Sequence, residues 1–236
     1  MNVDAPGHQR IRPDVKIIKC INIIMQYSEF FGKRKNTFEQ SLAIIKSRLR
    51  EDKQYNIVEL GTSRSFVDGD IEGCMSTNTD YWFPDNPEKW DWGAGIFTKV
   101  FSENLKNENV MLHTVDPKDE AIQIVSVMCA DCSNVDVIQN NSTSFLKSVS
   151  YKIDFLYMDY VEVSEEATEE HLVDVKLIVQ LDLMSEDGVI LIDDVGDNIS
   201  THTPGKYIIP YLLQNGYQQI AHEHQVLLIR NSPPNN

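Results

Sequence analysis

The chain has 236 residues, 42% of them hydrophobic and 24% charged, which suits one folded domain with a sizeable core and excludes a disordered polymer. Its formal net charge of −15 opposes a polyphosphate backbone, so the expected partner is a small molecule or another protein rather than nucleic acid. No apolar run approaches the roughly 20 residues that span a bilayer, and the start "MNVDAPGHQR" lacks a signal-like apolar core, so a soluble, cytoplasmic protein without membrane contact is expected.

After a polar start, Pro13 opens "PDVKIIKCINIIMQYSEFF", where Val15, Ile18, Ile21 and Met25 recur at helical spacing. The "GKRK" stretch from Gly32 to Lys35 reads as a solvated helix end. A second helix is expected to begin near Asn36 or Thr37, where "NTFEQSLAIIKSRLRED" offers a polar cap, an early glutamate and a basic end. These helices, within residues 1–55, present apolar stripes either to the sheet or to a second subunit of a homo-oligomer.

From "YNIVEL" onward the pattern changes to short apolar runs: "VMLHTVD" (Val110 to Asp116), "VDVIQN" (Val135 to Asn140), "IDFLYMD" (Ile153 to Asp159) and "GVILIDD" (Gly188 to Asp194). Helical stretches separate them, the longest being "EEATEEHLVDVKLIVQLDLM". Alternation of this kind predicts an α/β fold, Rossmann-like and doubly wound, with a mostly parallel sheet covered by helices on both faces. The end, "GKYIIPYLLQNGYQQIAHEHQVLLIRN", reads as a helix, a break and an antiparallel hairpin, followed by a tail over residues 231–236. No linker divides the chain, so residues 1–236 form a single domain. Cys20 and Cys74 are isolated, and Cys129 with Cys132 forms one CxxC without a second pair, a spacing that usually means two ordinary thiols.

Ligands of an open parallel sheet sit beyond the carboxyl ends of its strands. Those ends carry Glu59 to Thr62, Asp116, Asn141 with Ser142, Asp159, and Asp193 with Asp194. The turn "ELGTSRS" has one glycine where a dinucleotide site needs three, and no lysine for a Walker loop, so phosphate cradling is disfavoured. Glu59 instead suits a cationic ligand such as the amino acid end of S-adenosylmethionine, and Asp116 suits a ribose diol or the cap of the following helix.

Over roughly Asn56 to Arg230 these residues resemble the class I S-adenosylmethionine-dependent methyltransferases, whose sheet has seven strands and a closing antiparallel hairpin. The resemblance implies that Glu59, Gly61, Thr62 and Ser63 line the methionine end of the cofactor, that Asp116 binds ribose, and that Asn141 and Ser142 lie beside adenine. Three carboxylates at adjacent strand ends, Asp159, Asp193 and Asp194, are costly together unless a cation or proton neutralises them, and oxygen ligands suit Mg²⁺. In this the sequence is similar to metal-dependent O-methyltransferases, of the macrocin-type sugar and catechol kinds. It departs from the catechol enzymes in having Glu162 where they carry a lysine, which leaves Asp159 or His202 as the proton acceptor. His222 and His224, at alternate positions of the hairpin, read as edge residues.

Between Gly61 and the second strand lies an insertion, residues 63–93, holding Trp82, Trp90 and Trp92. It reads as a lid in which Arg64 meets an acidic substrate group or Asp68, and in which the tryptophans either stack on the acceptor or glue the insertion to the domain. The displaced first helix follows in "AGIFTKVFSENLKN". The expected activity is methyl transfer to a hydroxyl of a small molecule, assisted by Mg²⁺. The competing readings are a metal-assisted enzyme of this fold with other chemistry, hydroxylase-like, and a non-catalytic protein that binds S-adenosylmethionine.

Overall fold

The computed structural model describes residues 25–62, 85, 87, 90, 96–159, 165–196 and 203–231, with the side chains of residues 165–168 and 170 outside that description. Seven strands form one sheet: β1 Tyr55–Leu60, β2 Val110–Asp116, β3 Val135–Gln139, β4 Ile153–Met158, β5 Met184–Ile192, β6 Tyr217–His222 and β7 Val226–Arg230. Their order is β3-β2-β1-β4-β5-β7-β6, with the first five parallel and β7 antiparallel to both β5 and β6. This is the expected doubly wound sheet with its closing hairpin, the strand order of the class I methyltransferase fold. No helix among the described residues is long and apolar enough to cross a membrane.

The strands β1 and β4 are buried at every position because both faces are covered. On one face α1 (Lys35–Arg48) and α2 (Phe97–Asn104) meet Ile57, Phe155, Tyr157, Leu191 and Leu227. On the other face α4 (Ser142–Ser148), α5 (Glu165–Gln180) and α6 (Gly205–Gln214) cover Val58, Leu60, Leu156, Met158 and Ile190. A smaller core beside α2 joins α3 (Asp119–Met128) to Val135 and Val137 of the edge strand β3.

Two differences from expectation bear on the site. α1 starts at Lys35 without a side-chain cap, because the Thr37 hydroxyl is spent on the Arg34 carbonyl at 3.0 Å and on Gln225. The "GKRK" stretch is not a solvated end as a whole: Lys33 and Lys35 are exposed, but Arg34 is only 5% exposed. Its neighbours explain this, since Phe31, Arg34, Phe38, Leu42 and Ile45 follow helical spacing and the arginine therefore shares the buried stripe. Of the first expected helix, the part before Met25 lies outside the described residues, and the remainder holds only a short 3-10 turn at Ser28–Phe30.

The aromatic cluster fixes α2 against the sheet. Phe97 stacks on Phe101 at 3.9 Å and on Tyr157 at 4.1 Å between ring centroids. Phe97→Ala should therefore cost about 3–5 kcal/mol of unfolding free energy, measured by denaturant titration.

Candidate functional site

The register of the parallel strands brings the acidic ends together. Leu60 pairs with Val115 on one side and with Met158 on the other, and Met158 pairs with Ile192. One residue further, Asp116, Gly61, Asp159 and Asp193 must stand in a single lateral row. Ladder hydrogen bonds fix it: Gly61 N donates to Val115 O at 2.9 Å, Asp159 N to Leu60 O at 2.9 Å, and Asp193 N to Met158 O at 3.1 Å. The row straddles the gap between β1 and β4, where the chain reverses its direction of travel across the sheet. In open parallel sheets that is where ligands bind.

On the β2 side, Gly61 has φ +83°, a left-handed conformation that glycine adopts without a side-chain penalty. Asp116 welds the two flanking turns, accepting from Thr62 N at 3.3 Å and from Lys118 N at 2.8 Å. Burial pushes its carboxyl up from the ordinary value, and those two amides oppose the shift. Glu59 lies two rows deeper on the face covered by α2, fully buried, where it accepts a hydrogen bond from the Thr98 hydroxyl. Asn141 is the N-cap of α4, its side chain accepting from Ser144 N at 2.8 Å, and Ser142 is the first helical residue.

On the β4–β5 side the acids are met by the protein's own cation. Arg34 Nε donates to Asp193 Oδ2 at 2.7 Å, and an Arg34 terminal nitrogen lies 3.8 Å from Asp194. The Tyr157 hydroxyl, two residues before Asp159 and on the same strand face, is 2.6 Å from Asp193 and 3.2 Å from Asp159. Asp194 has φ +52°, and its amide donates to its neighbour's Oδ1 at 2.9 Å. The hairpin turn braces this bend: Val195 N and Gly196 N both donate to His224 O, at 3.0 and 3.1 Å. His224 is thereby turned inward rather than displayed at an edge, with Nε2 2.8 Å from Asp194 Oδ1. His222 stays beside it, its Nε2 3.0 Å from Gly196 O.

Protonation follows from these contacts. Burial works against the charge on Arg34, but Asp193, Tyr157 and Asp159 together outweigh it and raise the guanidinium pKa. The hydrogen bond to His224 holds Asp194 below the usual carboxylate range, although burial opposes it. Asp159 is pushed the other way, well above that range, by desolvation and then by the Asp193 charge. The phenol of Tyr157 is also raised by burial and has one hydrogen to give, which goes to Asp193. The contact to Asp159 is then a hydrogen bond when Asp159 keeps its proton and donates to the phenol oxygen.

This arrangement does not fit the expected Mg²⁺ on Asp159, Asp193 and Asp194. Among the described residues of this site, the ligand atoms close enough to share an ion are those of Asp193, Asp194 and His224, without Asp159. Both oxygens of Asp193 already accept protein hydrogen bonds, one of them from a guanidinium, and Mg²⁺ demands several unoccupied oxygens in octahedral geometry. Arg34, which was not expected here from the sequence, neutralises part of this acidic cluster.

Trp90 is buried against Ile96, Ile124, Val125 and Met128, with Tyr27 5.7 Å away between ring centroids, so this tryptophan packs on α3. Ser63, Arg64, Trp82, Trp92 and His202 lie outside the described residues. Arg34 and His224 were missed as site residues. The readable signal for Arg34 was a lone charge on the Phe31, Phe38, Leu42 stripe, whereas His224 depends on the hairpin folding back.

No family model and no curated protein matches the chain. Among solved structures it is similar to an rRNA methylase from Streptococcus thermophilus, at 12% identity, covering 82% of this chain and 96% of that one with a TM-score of 0.47. It is also similar to a candidate methyltransferase from Streptococcus mutans in complex with SAH, at 11% identity, 81% and 96% coverage and a TM-score of 0.46. A ribosomal protein L11 methylase from Lactobacillus delbrueckii is 16% identical, with 84% and 79% coverage and a TM-score of 0.44. Likenesses this distant say nothing about substrate, and the fold stands on the chain's own strand order.

Two measurements check the electrostatics. Arg34→Met should cost about 3–5 kcal/mol in denaturant, because it strands the buried Asp193 charge, and adding Asp193→Asn should restore part of that loss. An acid with a raised folded pKa binds its proton more tightly when folded, so stability is lost as pH rises from the ordinary carboxylate value of about 4 towards the folded one. Asp159→Asn should therefore flatten the decline in melting temperature between pH 4 and 8 and leave the acid end unchanged.

Proposed function

We propose that the chain is an S-adenosylmethionine-dependent methyltransferase that methylates a hydroxyl of a small molecule, without a divalent metal. The observation that carries this is the lateral row Asp116–Gly61–Asp159 at the reversal point of the sheet: a position without a side chain, flanked by carboxylates suited to a cation and to a diol. The net charge of −15 supports a small acceptor over a nucleic acid.

The donor chemistry fits the cofactor, which when bound supplies a methyl group on a cationic sulfur. Gly61 and Thr62 hold its amino acid end, backed by the buried Glu59 and with Ser63 as a further contact, Asp116 accepts from the ribose hydroxyls, and Asn141 and Ser142 border the base. Asp159 is the proton acceptor in its ionised form: burial and Asp193 make that form a stronger base than an exposed aspartate. It first releases to solvent the proton it holds at rest and then takes the one that leaves the acceptor oxygen as its bond to carbon forms. Arg34 and Tyr157 keep Asp193 in place beneath it. The chain forms no covalent intermediate, so its contribution is position and field.

Isothermal titration with S-adenosylhomocysteine in excess chelator should show micromolar binding. Asp116→Asn, which keeps an oxygen for the loop amides, should weaken it at least about tenfold, the worth of one charge-assisted hydrogen bond. Absence of binding to the wild type would overturn the cofactor assignment. Transfer of labelled methyl to hydroxyl acceptors should proceed equally in chelator and in Mg²⁺, and a requirement for Mg²⁺ would overturn the metal-free reading.

A further inference from the structure

Away from the strand-end row, α2 and the turn after α3 enclose a second group of reactive side chains. Cys129 is the C-cap of α3, and the Cys132 amide donates back to the Cys129 carbonyl at 2.9 Å. A closure from i to i+3 holds the two α-carbons within about 7 Å, overlapping the span that a disulfide bridges. Cys129 is buried in the core formed by Trp90, Ile124 and Val125, whereas Cys132 is half-buried and open to small solutes. Its sulfur is met from α2 by Ser102 Oγ at 3.3 Å and Lys99 Nζ at 3.5 Å. Lys99 is itself buried and is tied to Glu103 at 2.9 Å and Asp131 at 2.5 Å, so its charge stays beside the sulfur. Glu103, Asp131 and Cys132 are close enough to share an ion, but the Lys99 ammonium already contacts all three.

We propose that Cys132 and Cys129 are a redox-active dithiol, in which Cys132 reacts with a hydroperoxide and Cys129 resolves the product to a disulfide. The Cys132 thiolate attacks one peroxide oxygen and becomes a sulfenic acid. The O–O bond breaks, and the other oxygen leaves with the proton released when Cys132 ionised, as an alcohol or water. The Cys129 sulfur then displaces the sulfenic oxygen as water. Two electrons pass from the sulfurs to the peroxide, so two thiols and one hydroperoxide become one disulfide, one water and one alcohol, or two waters when the oxidant is hydrogen peroxide.

The surroundings divide the roles. A hydrogen bond from Cys129, helped by Ser102 and Lys99 and opposed by burial, brings the Cys132 thiol down to about 7. The same bond and burial push Cys129 up, so it remains the thiol. Tyr27, Glu59, Glu103 and Asp131 are the other titratable groups acting on the pair, and the contacts of Lys99 with Glu103 and Asp131 balance those two acids. At pH 7 the thiolate fraction exceeds that of an ordinary cysteine about fifteenfold, and the lower nucleophilicity of a more acidic thiol gives back about fivefold, a net gain of about threefold.

The test uses the full chain, reduced, freed of reductant and treated with hydrogen peroxide at pH 7, then alkylated and digested with trypsin. The peptide spanning residues 119–147 holds Cys129 and Cys132 but neither Cys20 nor Cys74. It should become two hydrogens lighter and resist alkylation until dithiothreitol is added. In Cys129→Ser the same treatment should leave a dimedone adduct on Cys132, and in the reduced wild-type chain iodoacetamide should label Cys132 about threefold faster than an unperturbed thiol. The proposal is overturned if this peptide keeps two alkylatable thiols while Cys20 or Cys74 oxidises, if Cys132 pairs elsewhere, or if dimedone labels Cys129→Ser no more than Cys132→Ser.

Discussion

The ion pair between Arg34 and Asp193 is the constraint on which the strand-end cleft depends. Parallel register delivers Asp116, Asp159 and Asp193 to one row whatever else the chain does, and carboxylates at neighbouring strand ends repel in a medium that screens poorly. Only a compensating charge or a proton lets them coexist. Arg34 supplies the charge for Asp193 and Asp194, and Asp159 keeps a proton instead. Such a pair adds little net stability over an apolar substitute, because both ions lose their water. What it fixes is placement: the entry into α1, the end of β5 and the hairpin turn are tied to one point through Thr37, Gln225 and Tyr157.

The consequence for chemistry is a division between the two halves of the row. On the β2 side Asp116 spends its oxygens on backbone amides, which makes the turns around Gly61 rigid. On the β4 side the chain from Arg34 through Asp193 and Tyr157 to Asp159 grades from a fixed charge to a proton. A cationic methyl donor over the first half and a hydroxyl near the second would use both without a metal.

The strands were legible because a sheet covered on both faces needs continuous apolar runs, and "VMLHTVD" and "IDFLYMD" could be little else. The acidic ends were legible for the same reason, since "VMLHTVD", "IDFLYMD" and "GVILIDD" each stop at a carboxylate. The identity of the neutralising cation was not. Arg34 lies 159 residues from Asp193 in the chain, and exposed lysines on either side disguise a residue that the Phe31, Phe38 and Leu42 stripe carries inward. Charge counting correctly required a cation, but a single sequence cannot say whether it arrives by folding or from solution. His224 was hidden for a related reason: alternation predicts which face of a strand a residue takes, and His224 sits in the turn, where the bend at Asp194 decides instead. Lys99 was equally obscure, because burial of an ammonium depends on Glu103 and Asp131 meeting it from two elements.

Diffraction from crystals soaked with S-adenosylhomocysteine and Mn²⁺, a Mg²⁺ substitute visible by anomalous scattering, tests the central claim most directly. The account predicts the nucleoside over Gly61 with its ribose on Asp116, Arg34 still on Asp193, and no anomalous peak at the aspartates. A manganese peak on Asp193 with Arg34 displaced, or a nucleoside bound away from the row, would contradict it.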